Sequence, residues 1–415
     1  MKKSILSILL SLALGGACAY GATHNVGAGE SIQSAINGAA SGDTIVLTAP
    51  ADYDGNVTIA GKALRIVSLY RNNHDVTGSI SISAVPAGQS VTFKNLSVSG
   101  PVSATDSSLN LLRCTMGQEV NATNPGNANT QLAVVQSALT GKLHSTLTRT
   151  WVGYSDLRQS YFEGQVEIVG NIFNGNGLGG IGIDLNGSST MANIHNNIIN
   201  NFSGSFTNNI SNTCIGVRVA GNGRANIQNN AIVKNFDNNR DGAEVFVGVG
   251  ILVSATSQTS INSNILHTNY VVEGQKSNYF VEYGNANIQA PKQNVKMHYN
   301  SLSLNRHNVS LTKGGVEPLF SITDTNANLN KFLNDPAGLM NYNGHWRGGK
   351  DAGSPKDADK DHDGSRNDIG PNGGRNYIPN GRTTDKPIPI SFTVAPQVVP
   401  VGGTVTIEST GVTIK

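Results

Sequence analysis

The chain has 415 residues, with 29 lysines and arginines against 27 aspartates and glutamates, so its formal net charge is +2 and only 13% of it is charged. That balance gives no electrostatic footprint for nucleic acid or an anionic membrane, and no broad cationic cleft for a polyanionic sugar. The surface is expected to be rich in amides and hydroxyls, which suits an extracellular polysaccharide or a surface protein as partner.

The chain opens with Met1-Lys2-Lys3, an apolar run from Ile5 to Leu14, and Ala17-Cys18-Ala19. A basic start, a short apolar stretch and an Ala-x-Ala site predict a bacterial secretory signal peptide over residues 1–19. The apolar run is too short to remain as a membrane span. The expected location is therefore secreted or at the cell surface. After cleavage only Cys114 and Cys214 remain, and both read as buried thiols rather than a disulfide. Next, apolar residues at Ile32, Ala35, Ile36 and Ala39 mark one face of a short helix, with Ser31 as cap and Gly42 as stop. Gly42-Asp43-Thr44-Ile45-Val46-Leu47 then opens the first strand. A solenoid needs its open core end covered, and a short amphipathic helix does that. Here the chain resembles the pectin-lyase-like superfamily of secreted parallel β-helices. The residues that carry the likeness are Gly29, Ile32, Gln33, Ala35, Ile36, Gly42-Asp43-Thr44-Ile45, Tyr53 and Asn56-Val57-Thr58-Ile59.

Upstream, Leu111/Cys114/Met116, Val134/Ser137/Leu139 and Leu157/Ser160/Phe162 repeat at equal spacing (134 − 111 and 157 − 134). A fuller phrase, apolar-x-x-Asn-x-apolar, follows at Ile168/Asn171/Phe173, Ile194/Asn197/Ile199, Ile227/Asn230/Ile232, Ile261/Asn264/Leu266 and Met297/Asn300/Leu302. Its period is longer and nearly constant in the middle copies (227 − 194 and 261 − 227). Gly182, Gly216 and Gly250 repeat in step beside it (216 − 182 and 250 − 216). Two strand types at constant offset are successive faces of one coil. The expected fold is all-β: a right-handed parallel β-helix solenoid over residues 20–345, with a short N-terminal capping helix and a C-terminal β-rich tail. Stacked Asn residues are expected to hydrogen-bond along the stack.

The repeat also nominates sites. Asp184 and Arg218 share a column one period apart and should meet as an ion pair. An Arg base with acidic cation ligands is what the resemblance to pectate-lyase relatives implies for such a pair, although the third column position is Leu252. Asp237, Arg240, Asp241 and Glu244 form an inserted loop suited to a sugar or a cation. Tyr270 and Tyr279, in the segment from His267 to Tyr283, suit sugar stacking. Tyr beside Glu can also serve lyase or hydrolase chemistry.

Past Trp346 the composition turns to Gly, Lys, Asp and Pro, an end-piece or linker over residues 346–389. Asp359, Asp361 and Asp363, followed by Gly364, match the opening of a calcium loop, with Asp368 as a further ligand in place of the missing glutamate. A structural Ca²⁺ is expected there, against the alternative of a solvated acidic turn. The segment also resembles the Asp-x-Asp-Gly-Ser-x-x-Asp-Ile-Gly phrase that closes many secreted β-helices. Residues 390–415 alternate like strands and either start a further module or dock on the solenoid. Two function classes follow. One is a non-catalytic surface, adhesive or glycan-binding module; the alternative is a polysaccharide lyase or hydrolase. The chain lacks the paired-Asp and Gly-His-Gly phrases of the polygalacturonases and any pectin-esterase phrase, which favours the first.

Overall fold

The computed structural model describes residues 21–70, 75–126, 129–176, 180–204, 213–233, 236–237, 247–254 and 256–267. It further describes the short strands between 285 and 346 with residue 300, then 351, 353–356, 359–395 and 406–412. Three long sheets of 12, 11 and 11 strands are parallel throughout. The first runs from Thr23–Val26 to Val295–His298, the second from Asp75–Val76 to Lys331–Phe332, and the third from Val57–Ala60 to His307–Ser310. From residue 90 each coil gives one strand to each sheet in turn, as in Ser90–Lys94, Ser97–Val98 and Val102–Thr105. This is a parallel β-helix.

Register shows why the strands stack. Leu111, Val134, Val152, Ile168, Ile194, Ile227 and Ile261 pair in succession along the first sheet and are fully buried. Burying each such side chain contributes about 1.5–3 kcal/mol, which no single coil could obtain alone. The same column corrects the upstream spacing. Its steps shorten from Leu111→Val134 to Val134→Val152 and again to Val152→Ile168, rather than staying equal. Leu157 therefore lies in the second sheet, paired with Phe173, and Phe162 lies in the third, paired with Leu185. Apolar alternation is common to all three faces, so a second equal spacing mimicked a full coil while a shorter one was in place.

The N-terminal helix spans Ile32–Gly38 and buries Ile32 and Ile36 over the end of the core. The Ser34 amide donates to Ser31 Oγ at 3.2 Å, the expected cap. The helix stops short of Gly42. Lys62 Nζ donates to the carbonyls of Ile36 and Ala39 (3.0 and 2.7 Å), closing its C-terminal end. A strand that the hydrophobic pattern did not announce, Thr23–Val26, precedes the helix and pairs with Thr44–Leu47. It carries a single apolar side chain, Val26, too little for a pattern. Asp43 anchors it instead, accepting from the amides of Ala22 (2.7 Å) and Ala40 (2.8 Å) and facing His24 Nε2 at 2.8 Å. The His24 contact and then the amides hold the Asp43 carboxyl below its usual range.

Between the first and second sheets, from Arg113 to Ser263, each coil turns on one residue with positive φ: Arg113, Gln136, Tyr154, Gly170, Asn196, Asn229 and Ser263. The next residue points inward and forms the ladder. Asn171, Asn197, Asn230 and Asn264 are buried, and each Nδ2 donates to the Oδ1 of the following Asn, ending at Asn300, at 3.0–3.1 Å. Upstream, Ser137 and Ser155 hold the same position and accept the amides of Cys114 and Ser137. Cys114 and Cys214 form no disulfide with each other and are buried, and burial pushes the Cys114 thiol up to about 12.

The outward side chains of the turning residues hold the tail. Ser263 Oγ accepts the Ser354 amide, and Asn229 donates to Asn367 Oδ1 and the Asp368 carbonyl. Asn196 donates to the carbonyls of Pro371 and Gly373, Gln136 to those of Gly381 and Thr384, and Arg113 to Thr384 and Asp385. The tail thus runs back along the solenoid, opposite to the direction in which coils are added. It ends in an antiparallel pair, Ile388–Ala395 with Thr406–Val412, where Ile388 and Val412 pack on Leu112, Val135, Tyr154 and Val169. Among the described residues no helix is long and apolar enough to cross a membrane.

Candidate functional site

Of the sequence-nominated residues, the coils bring Asp184 and Arg218 together. They pair in register on the third sheet, each flanked by fully buried neighbours (Ile183 and Leu185, Val217 and Val219), so both face outward. Arg218 Nε donates to Asp184 Oδ1 at 2.8 Å and Nη2 to Oδ2 at 2.6 Å, a two-pronged ion pair. The same column continues upward through Tyr161 and His144. Their rings meet edge to face, with centroids 4.7 Å apart and planes at 82°. Tyr161 Oη donates to Glu163. Burial, with the Glu163 bond and the charges of Glu163 and Asp184, pushes the Tyr161 phenol up to about 12. Burial and Lys142 lower the His144 ring from its ordinary value. The row is a strip of directional donors, acceptors and ring edges at strand spacing. Its one guanidinium is engaged by a carboxylate and its one phenol is hard to ionise, so neither stands ready as a base.

Asp237 lies in the short strand Phe236–Asp237, paired with Ser203–Gly204. Arg240, Asp241, Glu244, Tyr270 and Tyr279 lie outside the described residues.

In the acidic turn the carboxylates serve separate amides. Asp361 accepts from Asp368 (3.2 Å) and Gly374, Asp363 from Ser365 (2.9 Å), and Asp368 from Asp351 (2.7 Å). Burial first, with Asp363 and Asp351 nearby, raises the Asp361 carboxyl. Among the described residues no three His, Cys, Asp or Glu side chains are grouped to hold a metal ion. As placed, Asp359, Asp361, Asp363 and Asp368 do not converge on a cation.

A second constellation escaped the sequence patterns. On the outer face of the first sheet, Trp151, Glu167 and Asn193 pair in succession, and His195 lies just past Asn193 on the same strand. They line a groove of about 740 Å³ whose other wall is the tail at Arg375, Ile378 and Ile388. Asn193 Nδ2 donates to Glu167 Oε2 at 3.0 Å, and His195 Nε2 meets Glu167 Oε1. The two steps differ widely (167 − 151 against 193 − 167), so no fixed period aligns these residues. Compared with models of known protein families, with curated proteins and with solved structures, the chain matches none of them.

Proposed function

We propose that this is a secreted bacterial β-helix of the pectin-lyase-like type, acting as a non-catalytic module that binds a glycan along the outer face of the third sheet. The observation that carries the reading is the two-pronged Arg218–Asp184 pair in line with Tyr161 and His144. A lyase base at Arg218 would have to surrender a proton that two hydrogen bonds hold toward the buried Asp184, whereas sugar hydroxyls can accept from the guanidinium N–H groups that Asp184 does not take. Secretion rests on residues 1–19. The low charge favours a neutral glycan or a protein surface over a polyanion.

A glycan array run beside a polysaccharide-depolymerisation screen tests this. Binding that weakens about tenfold or more in Arg218→Ala, with no sugar released, is expected. Unsaturated sugar ends released by the natural protein and abolished in Arg218→Ala would make it a lyase instead. A structural Ca²⁺ at Asp359, Asp361, Asp363 and Asp368 belongs to the proposal as well, and requires those carboxylates to be drawn toward one centre. Its expected signature is a melting temperature that rises on adding millimolar calcium after chelation. Unchanged melting removes the ion.

A further inference from the structure

We propose that the groove between the first sheet and the tail is a separate glycan site that seats a neutral pyranose ring against Trp151, its hydroxyls held by Glu167 and Asn193. The inference shares no residue with the row on the third sheet and stands or falls without it.

The floor comes first. The Trp151 indole reaches along its own strand over Gly153, where an added Cβ would lie 2.1 Å from Cη2. The missing side chain lets the ring lie low on the sheet and line the groove. An aromatic platform with a few fixed polar groups is how concave sites orient a ligand that has both C–H faces and hydroxyls.

The polar groups are fixed by a definite hydrogen-bond pattern. Asn196 Nδ2 donates to two tail carbonyls, so its Oδ1, 3.0 Å from His195 Nδ1, must be the acceptor. His195 Nδ1 therefore carries a proton. Its Nε2 meets the Glu167 carboxylate, so Glu167 is held from one side by His195 and from the other by Asn193. Glu167 remains 35% exposed, with lone pairs free to accept from sugar hydroxyls. A uronate carboxylate placed directly against Glu167 is disfavoured by like-charge repulsion, although the Arg149 and Arg375 guanidiniums also line the groove.

Size and rim agree. Four successive coils form the wall, about 14 Å along the solenoid at strand spacing, which suits an oligosaccharide rather than a single ring. Of the four large apolar side chains exposed among the described residues, two, Met191 (50%) and Ile378 (38%), line this groove. Packing of the tail accounts for the buried group around Tyr154 and Ile388. It gives no reason for a Glu167 and Asn193 wired to the buried His195 and facing open space.

The chain has two tryptophans, so Trp346→Phe leaves Trp151 as the sole indole reporter in the full-length protein. Cellohexaose, xylohexaose and mannohexaose are titrated against its emission, with hexagalacturonate as the acidic contrast. The expected result is a saturable change with at least one neutral oligosaccharide. It should weaken tenfold or more in Glu167→Gln or Asn193→Ala at unchanged melting temperature. The proposal is overturned by no saturable change at millimolar neutral sugar. It is equally overturned by equal or tighter binding of hexagalacturonate, or by full binding in whichever of the two groove variants folds.

Discussion

Asn230 has no room for an apolar substitute. Its Oδ1 accepts both the amide and the Nδ2 of Asn197 at 3.0 Å, and its own Nδ2 donates to Asn264 and to the Ile194 carbonyl. Asn230→Leu would bury equally well and leave the buried Asn197 backbone amide without its acceptor, at about 1–3 kcal/mol. A clear fall in the melting temperature is expected, and a melt that does not move would show that the ladder adds nothing to stability. This inward column was legible because the same amide recurs in it. The outward neighbours were not, since each turning residue is chosen by what the tail offers at that point. Arg113 meets a carboxylate, Gln136 and Asn196 meet carbonyls, and Tyr154 lies against a glycine. A column with a shared backbone shape and no shared chemistry leaves no repeat to find. Its non-glycine members accept a left-handed conformation that costs roughly 1–2 kcal/mol each, offset by the contacts they make.

Among the elements, the tail depends most on a single small residue. A Cβ on Gly381 would fall 2.2 Å from Tyr154 Cε1, and the Gly381 carbonyl is also the acceptor for Gln136. Gly381→Val is expected to lift this stretch at a cost of about 1–3 kcal/mol, the range for overpacking. Limited proteolysis should then cut between 370 and 390 sooner than in the natural protein. Equal resistance would mean that the tail is held elsewhere. The composition shift after Trp346 set the segment apart in the sequence, and the alternation after residue 390 marked the strand pair. Neither could show that the tail turns back, because its partners lie far away in sequence, as Asp156 does from Arg382. The groove was hidden for the same reason, one wall coming from each distant segment.

For the whole molecule, periodicity revealed the solenoid and the length of its later coils, where inserted residues lengthen turns without disturbing the stacked strands. It failed where coils are shortest, between Val134 and Ile168, since three similar faces in so short a stretch admit more than one registration. A solenoid in which each coil touches only its neighbours has no intrinsic number of coils. This one acquires a gauge. The tail meets Ser263, Asn229, Asn196, Gln136 and Arg113 in that order, and its own length between contacts is fixed. Gaining or losing one coil between residues 113 and 263 would displace every later contact by about 4.8 Å, whereas a change before Leu112 would leave all of them matched. The coils that carry both candidate glycan surfaces are thereby counted, and those nearer the N-terminus are free to vary in number.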